Sequence, residues 1–348
     1  MSRLNDFPFF DVQHPEDCRI SAVHSVWWGG TFVNTTNIFM EYIWKHLEHL
    51  DIDYLTWVLW VVYPIVISFL LPLFILIFLY ASAIFLHVYH YRHRLRDAYA
   101  KDFWDGARKT LSAVWVGQAR IWHGYEIHGF EKLPSTGPAL MIYYHGTLPI
   151  DFYYIMAKCI LEKNRQIRAV GDNFLFNMPG WRLLMEVFCV APGTVQSCIG
   201  VLNAGHILAI APGGVREALF GDEYYPVMWG KRTGFAKVAL QTHVPVIPVF
   251  TQNVREAFRT PSFGKGWMRK LYEMTRLPLM PIYGFFPVKL RTFIGDPIQP
   301  DKDTTPEQLA TTVQEALKDM IKEHQRIPGN ILRALFERVY SSDKQKSS

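Results

Sequence analysis

The longest apolar run in the chain covers residues 55–86, which include no charged side chain. About 20 consecutive apolar residues are enough to cross the hydrocarbon core of a bilayer as a helix. The run therefore predicts a membrane segment over residues 55–89. It contains Pro64 and Pro72, and a proline interrupts the helical hydrogen-bond ladder. One long tilted helix and a re-entrant hairpin both fit this pattern.

The charges on the two sides of this segment differ in sign. The flanking charges are acidic before it and basic after it: Glu48, Asp51, Asp53, Arg92, Arg94 and Arg96. Because basic flanks tend to stay in the cytosol, the chain after the segment is predicted to be cytosolic. A single span would place residues 1–54 in a lumen, where Asn34 begins a glycosylation sequon. A hairpin would return both ends to the cytosol.

Beyond the membrane segment, the spacing of apolar residues predicts a helix followed by an α/β domain. Apolar residues recur at helical spacing within residues 90–125, which predicts an amphipathic, membrane-proximal helix. From residue 126 to about residue 300, short apolar runs alternate with helix-length stretches, as in an α/β sandwich with buried strands. The strand-like runs are residues 139–144, 167–170, 206–210, 244–250 and 290–294.

The C-terminal region, residues 301–348, is predicted to form a helix and a tail. An amphipathic pattern covers residues 305–324, and Thr304 or Thr305 is suited to begin this helix with Pro306 in its first turn. The last eight residues are predicted to be disordered.

Composition excludes some classes of function. Hydrophobic residues make up 50% of the chain and charged residues 19%, which is typical of a folded domain with a membrane-contacting surface. The formal net charge of +5 is too small, and too scattered, for a nucleic-acid groove. An anionic membrane surface is the better partner. The four cysteines show no CxxC pair or metal-type spacing, which predicts free thiols in a reducing compartment.

A histidine follows the first buried strand. The run ALMIYY ends at His145-Gly146, and Asp151 comes six residues after the histidine, before a helical stretch. A histidine that a carboxylate orients through its second ring nitrogen can act as a general base toward an alcohol. Taken alone, the pair also fits a purely structural role, since the chain contains 13 histidines.

A glycine-rich turn follows a later buried strand. Gly213 and Gly214 permit a close approach of the backbone to a ligand and leave amides available to an anion. Arg216 could pair with a phosphate or carboxylate, and Glu217 follows it. The alternative is an ordinary strand-to-helix turn with a surface salt bridge.

Two further blocks, VGDNFLFNMPG at residues 170–180 and VPVIPVF at residues 244–250, complete a recognisable order. The four blocks together resemble the glycerolipid acyltransferase superfamily related to bacterial PlsC, over residues 115–296. Three segments are similar to the diacylglycerol and monoacylglycerol acyltransferase branch: GGVREAL, the Lys231-Arg232 pair and VPVIPVFTQN. The resemblance implies a central mixed sheet with flanking helices.

The resemblance also implies an activity. A fatty acyl group would pass from acyl-CoA to a hydroxyl of a mono- or diacylglycerol, in triacylglycerol or glycerolipid synthesis at the endoplasmic reticulum membrane. His145 would be the base and Asp151 would stabilise its imidazolium. The glycine-rich turn, including Arg216 and Glu217, would bind an anionic group, and Lys231 and Arg232 would meet CoA phosphates. The resemblance calls for no metal or cofactor; the partners are membrane lipids, acyl-CoA and a glyceride acceptor.

The chain departs from the superfamily pattern in two places. Five residues rather than four separate His145 from Asp151, and Gly213 stands where the E-G-x-R pattern of phosphate-acceptor members has a glutamate. The second departure favours a neutral glyceride over lysophosphatidate as acceptor. Two alternatives remain: a transacylase or lysophospholipid acyltransferase that uses phospholipid, and a non-catalytic lipid-binding membrane protein.

Overall fold

The computed structural model describes residues 54–93, 104–301 and 303–340. The predicted lumenal region with Asn34, the basic residues Arg94 and Arg96, and the C-terminal tail lie outside these ranges. The chain divides into two units, Met1–Val61 and Val62–Ser348. The three cysteines among the described residues are free thiols.

The predicted membrane segment is one continuous helix, α1 (Tyr54–His93), which runs through Pro64 and Pro72. The structure therefore adopts the single helix and not the hairpin. Residues Thr56–Tyr89 are long and apolar enough to cross a membrane. From Ile75 onward one face of α1 is buried in the core, at Ile75, Leu79, Ala83 and Leu86. Most residues between Val62 and Phe74 are exposed.

The second unit continues with alternating helices and strands. In its first half these are α2 (Asp105–His123), β1 (Glu126–His128), β2 (Ala139–Tyr143), α3 (Ile150–Lys163), β3 (Ile167–Gly171), α4 (Asn173–Phe176), α5 (Trp181–Val187), β4 (Val190–Pro192), α6 (Val195–Asn203) and β5 (Ile207–Ile210). In its second half these are α7 (Gly214–Phe220), α8 (Gly234–Thr242), β6 (Val246–Gln252), α9 (Val254–Ala257), β7 (Phe258–Arg259), α10 (Lys265–Thr275), β8 (Tyr283–Gly284), β9 (Arg291–Ile294), α11 (Pro306–His324) and α12 (Ile331–Val339).

Seven strands form one mixed sheet in the order β1-β9-β6-β2-β5-β3-β4. Neighbouring strands are parallel except β6 and β9, which pair antiparallel. The short strands β7 and β8 form a separate antiparallel pair. The predicted fold class, a central mixed sheet with flanking helices, is confirmed.

Two hydrophobic cores lie on the two faces of the sheet, because successive side chains of a strand point to opposite faces. The side chains of β2 show this directly. Ala139, Met141 and Tyr143 enter the core formed with α1, α2, α3 and α5, and Leu140, Ile142 and Tyr144 enter the core formed with α6, α8 and α11. The seven-stranded sheet is thus covered on both faces, as parallel sheets are.

Two helix starts show how local sequence positions these elements. Helix α11 begins at Pro306, and the Thr305 hydroxyl accepts a hydrogen bond from the Gln308 N–H in a capping box. Helix α2 begins at Asp105, within the range predicted for the membrane-proximal helix. Helices α10 and α12 were not predicted from the sequence, because both are short and their apolar residues are mostly exposed.

Candidate active site

The carboxyl ends of three neighbouring strands form the edge of the sheet at which the site lies. Strands β5, β2 and β6 are adjacent and parallel, so the residues that follow them meet at the same edge. His145 follows β2, the glycine-rich turn follows β5, and Arg255 follows β6. The topology therefore brings together blocks that lie far apart in the sequence.

The His145 side chain is half-buried at this edge. Its Nδ1 atom lies 2.6 Å from the backbone oxygen of Gly146. A carbonyl oxygen can only accept a hydrogen bond, so Nδ1 donates and carries the proton, and in the neutral ring Nε2 is left as the basic atom. Although the ring keeps partial access to solvent, burial lowers the pKa of His145 to about 4, and nearby Arg255 acts in the same direction. The ring is therefore neutral at physiological pH.

Asp151 does not form the contact expected of it. Its carboxyl is buried beside Thr251, and among the described residues its Oδ1 atom has no hydrogen-bond partner. Nδ1 of His145 is bonded to Gly146 instead. This corrects the expectation that Asp151 orients the imidazole; a part for Asp151 in catalysis stays a prediction.

The physical reason is where helix α3 begins. Pro149 is its N-cap and Ile150 its first residue, so Asp151 lies in the first turn with its side chain directed into the core. Burial raises the pKa of Asp151 to about 6, and a hydrogen bond with the Thr251 hydroxyl partly offsets the increase. An acidic residue in the first turn of a helix also interacts favourably with the helix dipole.

Glu217 takes a position close to His145 that its place in the glycine-rich turn did not predict. Its side chain is fully buried. Oε2 accepts a hydrogen bond from the His145 backbone N–H at 3.0 Å, and Oε1 accepts one from the Met228 N–H at 2.9 Å. Burial raises the pKa of Glu217 to about 7, against the effect of these two hydrogen bonds and of Arg255 and Arg232. Glu217 thus holds the backbone of His145.

Arg255 is a site residue that the sequence analysis did not identify. Although it is almost fully buried, its guanidinium donates to the Tyr144 hydroxyl, to the Glu217 carbonyl and, at 3.4 Å, to the His145 carbonyl. It therefore ties the end of β2 to helix α7. One signal was available: Arg255 follows the apolar strand β6 by three residues, much as His145 follows β2.

Several polar groups of the glycine-rich turn form hydrogen bonds within the protein. The Gly214 N–H donates to the Ala211 carbonyl at 3.0 Å, which corrects the expectation that this amide is available to an anion. Nη1 of Arg232 donates to the carbonyls of Pro212 and Gly213 at 2.7 and 2.9 Å. Arg232 therefore braces the turn, while Lys231 beside it is exposed.

Gly213 itself is required by close packing. A Cβ atom on this residue would lie 2.4 Å from the Glu217 carboxyl carbon, far inside van der Waals contact. The absence of a side chain at Gly213 thus makes room for the carboxylate that holds His145.

Arg216 pairs with a protein carboxylate and not with the anionic ligand expected for it. Its guanidinium lies 3.6 Å from the Glu273 carboxylate of helix α10, and both side chains are about one-third exposed. Its Nε atom is buried without a hydrogen-bond partner among the described residues. The structure therefore pairs Arg216 with Glu273 of α10, although the next residue, Glu217, bonds to the His145 backbone.

A polar cavity lies between the His145 segment and the start of α10. Its volume is about 470 Å³, which includes the space at its open mouth. Its lining includes Thr147, whose buried hydroxyl has no hydrogen-bond partner among the described residues. Three cationic and two acidic side chains also line it: Arg255, Arg259, Lys265, Asp222 and Glu223. Thr147 is two residues from His145, so the cavity gives polar groups a binding space near the base.

Comparison with known proteins agrees with this architecture. The family described as Acyltransferase matches residues 124–252. A Bos taurus protein named "DGAT1/2-independent enzyme synthesizing storage lipids" is 51% identical over 304 residues, which cover 86% of this chain and 90% of that protein. The Homo sapiens protein of the same name is 51% identical over 300 residues, which cover 85% and 92%.

A solved structure is also similar in part. The 1-acyl-sn-glycerophosphate (LPA) acyltransferase PlsC from Thermotoga maritima shares 16% sequence identity, with a TM-score of 0.47 over 70% of this chain and 95% of that chain.

The mixed sheet, the histidine at the end of β2 and the matched domain define an acyltransferase that acts on lipids. The chain belongs to the family of the DGAT1/2-independent enzymes synthesizing storage lipids, as its 51% identity over most of both lengths shows. The predicted acyltransferase class is confirmed.

Proposed function

We propose that this enzyme is a membrane-anchored O-acyltransferase that moves a fatty acyl group from acyl-CoA to a hydroxyl of mono- or diacylglycerol. The observation that carries the proposal is the tautomer of His145. Because Nδ1 donates to the Gly146 carbonyl at 2.6 Å, the neutral ring has its lone pair on Nε2, as a general base requires. The name of the relatives, which refers to storage lipids, supports a neutral-lipid product.

The reaction follows from one proton transfer and one nucleophilic attack. Nε2 of His145 takes the proton of the glyceride hydroxyl as that oxygen bonds to the thioester carbonyl carbon. The tetrahedral intermediate collapses with cleavage of the C–S bond. The CoA sulfur leaves and takes the proton back from the imidazolium, so the products are the ester and CoA with a free thiol, and His145 is neutral again.

Glu217 and Arg255 act on the backbone of His145 and not on its ring. Glu217 accepts the His145 N–H, and Arg255 donates to the His145 carbonyl. Both backbone groups of His145 are therefore held by side chains that are themselves buried. A base fixed in this way loses little orientational freedom when the substrate arrives.

A neutral acceptor is favoured by the contacts of the glycine-rich turn. Arg216 pairs with Glu273, and Arg232 is bound to two carbonyls of the turn. Arg216, which the sequence offered for an anionic group, thus has a protein partner, and so does Arg232, which it offered for the CoA phosphates. The lysophosphatidate headgroup would have to displace them.

The membrane and its orientation form part of the same proposal. Helix α1 is long and apolar enough to span a bilayer, and the basic residues after it support a cytosolic catalytic domain under the positive-inside rule. We assign the enzyme to the endoplasmic reticulum membrane, where glyceride acceptors are dissolved and acyl-CoA arrives from the cytosol. The enzyme needs no metal or cofactor for this reaction.

The cavity beside Thr147 favours a second candidate, a transacylase or lysophospholipid acyltransferase that takes its acyl group from a phospholipid or gives it to one. Arg255, Arg259 and Lys265 outnumber the two acidic side chains in its lining, and cationic groups of this kind bind a phosphate. The two candidates differ in the donor and share His145 as the base.

The test compares donors in membranes that contain the full chain or its His145→Ala variant. Diacylglycerol is supplied with either radiolabelled acyl-CoA or a phospholipid that carries the label in its acyl chain. Labelled triacylglycerol from acyl-CoA alone supports the proposal, and label from phospholipid alone supports the second candidate. The control is His206→Ala, because His206 is also half-buried but stands at the opposite end of β5.

The non-catalytic alternative makes a different prediction for the same experiment. If the chain only binds lipid, His145→Ala and His206→Ala will leave the labelled products equally unchanged. Loss of roughly 10²-fold or more in His145→Ala alone, at equal protein level, would exclude it, because general-base catalysis contributes that much.

A further inference from the structure

Helix α10 and the residues around it expose an apolar surface that the catalytic site does not use. We define the α10 surface as five exposed large apolar side chains and three exposed basic ones: Phe263, Trp267, Met274, Leu277, Leu279, Arg269, Lys270 and Arg276. Phe263 and Met274 are 80% and 83% exposed. Exposed apolar residues that cluster in this way mark an interaction surface more often than they occur by chance.

The opposite face of α10 already packs in the domain. Tyr272 is buried against Phe220 of α7, with ring centroids 5.8 Å apart, and Met268 packs on the small core that includes Leu219. Trp267, Leu271 and Met274 follow one another at helical spacing on a different face. Because α10 packs on the domain through Tyr272 and Met268, the exposure of Trp267 and Met274 does not result from a loosely packed helix.

The charges of the α10 surface favour an anionic lipid surface as its partner. Arg269, Lys270 and Arg276 are interleaved with the apolar residues, and Glu273 lies within 4 Å of both Arg216 and Arg269. A helix with an apolar face and basic flanks lies in the plane of a membrane interface, where its apolar side chains reach the acyl region and its cations meet headgroups.

The position of the surface along α1 supports the same partner. Tyr283, which follows the α10 surface in the chain, has its ring 5.6 Å from that of Phe69. Phe69 lies within the candidate span, and the side chains of α1 that pack against the domain core begin at Leu71. The part of α1 before Leu71 has about 17 residues, or roughly 25 Å, which is close to the thickness of a hydrocarbon core. The domain near Tyr283 thus lies where the helix would leave the bilayer.

We propose that the α10 surface rests in the interfacial layer of the membrane as a second lipid contact beside the α1 span. Lys265 and Tyr283 also line the polar cavity near Thr147, so this contact places the mouth of the cavity at the lipid. A glyceride can then reach His145 without leaving the membrane. The inference rests on the proposed membrane anchoring of α1.

The test uses photocrosslinking in the full chain, reconstituted in vesicles of phosphatidylcholine and phosphatidylserine that contain labelled lipid. The photoreactive residue p-benzoylphenylalanine replaces Trp267 in one variant and Thr311 in the control. Thr311 is exposed on α11, which packs on the face of the sheet opposite to α1. The expected result is a labelled lipid adduct at position 267 and none at position 311.

A charge variant tests whether the lipid contact of the α10 surface depends on its own cations and not only on the nearby α1 helix. Arg269→Gln, Lys270→Gln and Arg276→Gln together are expected to lower the adduct at position 267 roughly tenfold or more when phosphatidylserine is present, because an anionic surface attracts nearby cations. An adduct at position 267 with a second copy of the chain or with another protein, or equal lipid labelling at position 311, overturns the proposal. An intact adduct without any labelled triacylglycerol would contradict the proposed function and leave this inference standing.

Discussion

The carboxylate of Glu217 accepts a hydrogen bond from the backbone N–H of His145 at 3.0 Å. These residues come from two blocks that lie 72 positions apart in the sequence. The glycine-rich turn thus contributes to the site by holding the backbone of His145 through a buried carboxylate. Positioning of this kind should be visible in kinetics.

Glu217→Ala is expected to lower kcat by about 10²-fold, because a displacement of the base by about 1 Å has an effect of that size. KM for acyl-CoA should change little, since Glu217 contacts backbone and not substrate. Two backbone N–H groups lose their acceptor, which should reduce the free energy of unfolding by about 2 kcal/mol or more. Initial rates at varied acyl-CoA, together with thermal unfolding, measure both effects.

Glu273→Ala is the matched control for Glu217. Glu273 pairs with Arg216 and Arg269 at the surface, and exposed ion pairs contribute at most about 1 kcal/mol. An equal loss of kcat in both variants would show that the His145 contact is not the cause.

Asp151→Asn is expected to lower activity by less than His145→Ala does. Asp151 lies beside Thr251, and Nδ1 of the His145 ring donates to the Gly146 carbonyl. The substitution therefore disturbs packing near the site but does not change His145 itself. Initial rates at saturating acyl-CoA, corrected for protein level, compare the two variants. A loss from Asp151→Asn as large as that from His145→Ala would mean that the carboxylate reaches the ring when substrate is bound.

The sequence was sufficient to predict the fold class and the place of the histidine, but not the contacts of the site. Buried parallel strands are continuous apolar runs, so the run before His145 could be recognised without other information. The partner of Asp151 depends on the residue at which α3 begins and on the direction of its first turn. A shift of one residue in that start rotates the side chain by about 100°, and spacing alone does not determine it.

Burial of charged residues was the second limit. Arg255 and Arg269 each stand between one apolar and one charged neighbour in the sequence, yet one is almost fully buried and the other exposed. Only tertiary structure provides the acceptors that make a buried guanidinium stable. The same limit applies to Glu217, which the sequence offered as part of an anion-binding turn and which instead accepts two backbone N–H groups.

The pH dependence of kcat/KM is expected to show two acid steps. Burial raises the pKa of Glu217 to about 7, so its protonation below that pH removes one of the two acceptor oxygens and lowers activity in part. The pKa of His145 is lowered to about 4, so the ring becomes charged, and activity is lost, only near pH 4. Rates measured between pH 4 and pH 8 test this order.

Glu217→Gln should remove the step near pH 7 and keep the step near pH 4, because the amide does not titrate. A single step near pH 6.5, the ordinary value for histidine, in both proteins would contradict the assignment of the two groups.

Gly213→Ala is expected to lower both activity and stability. The new Cβ would lie 2.4 Å from the Glu217 carboxyl carbon, so the carboxylate must move and the His145 N–H loses its acceptor. Overpacking of this kind typically costs about 1–3 kcal/mol. Gly117→Ala in helix α2 is the control, since no atom lies within 4 Å of its added Cβ, and it should stabilise the helix by up to about 1 kcal/mol. Thermal unfolding and initial rates should separate the two substitutions in sign.

Arg255→Lys is expected to be strongly destabilising although the charge is kept. The guanidinium donates to the Tyr144 hydroxyl and to the carbonyls of Glu217 and His145, and an ammonium group cannot reproduce a planar fork of donors. Carbonyl and hydroxyl acceptors are left unpaired in a buried site, for which we expect a loss of about 3 kcal/mol in the free energy of unfolding. Arg269→Lys, at the surface, should change it by less than about 0.5 kcal/mol. Chemical denaturation of both variants measures the difference, and similar midpoints would mean that Arg255 is not the tie between β2 and α7.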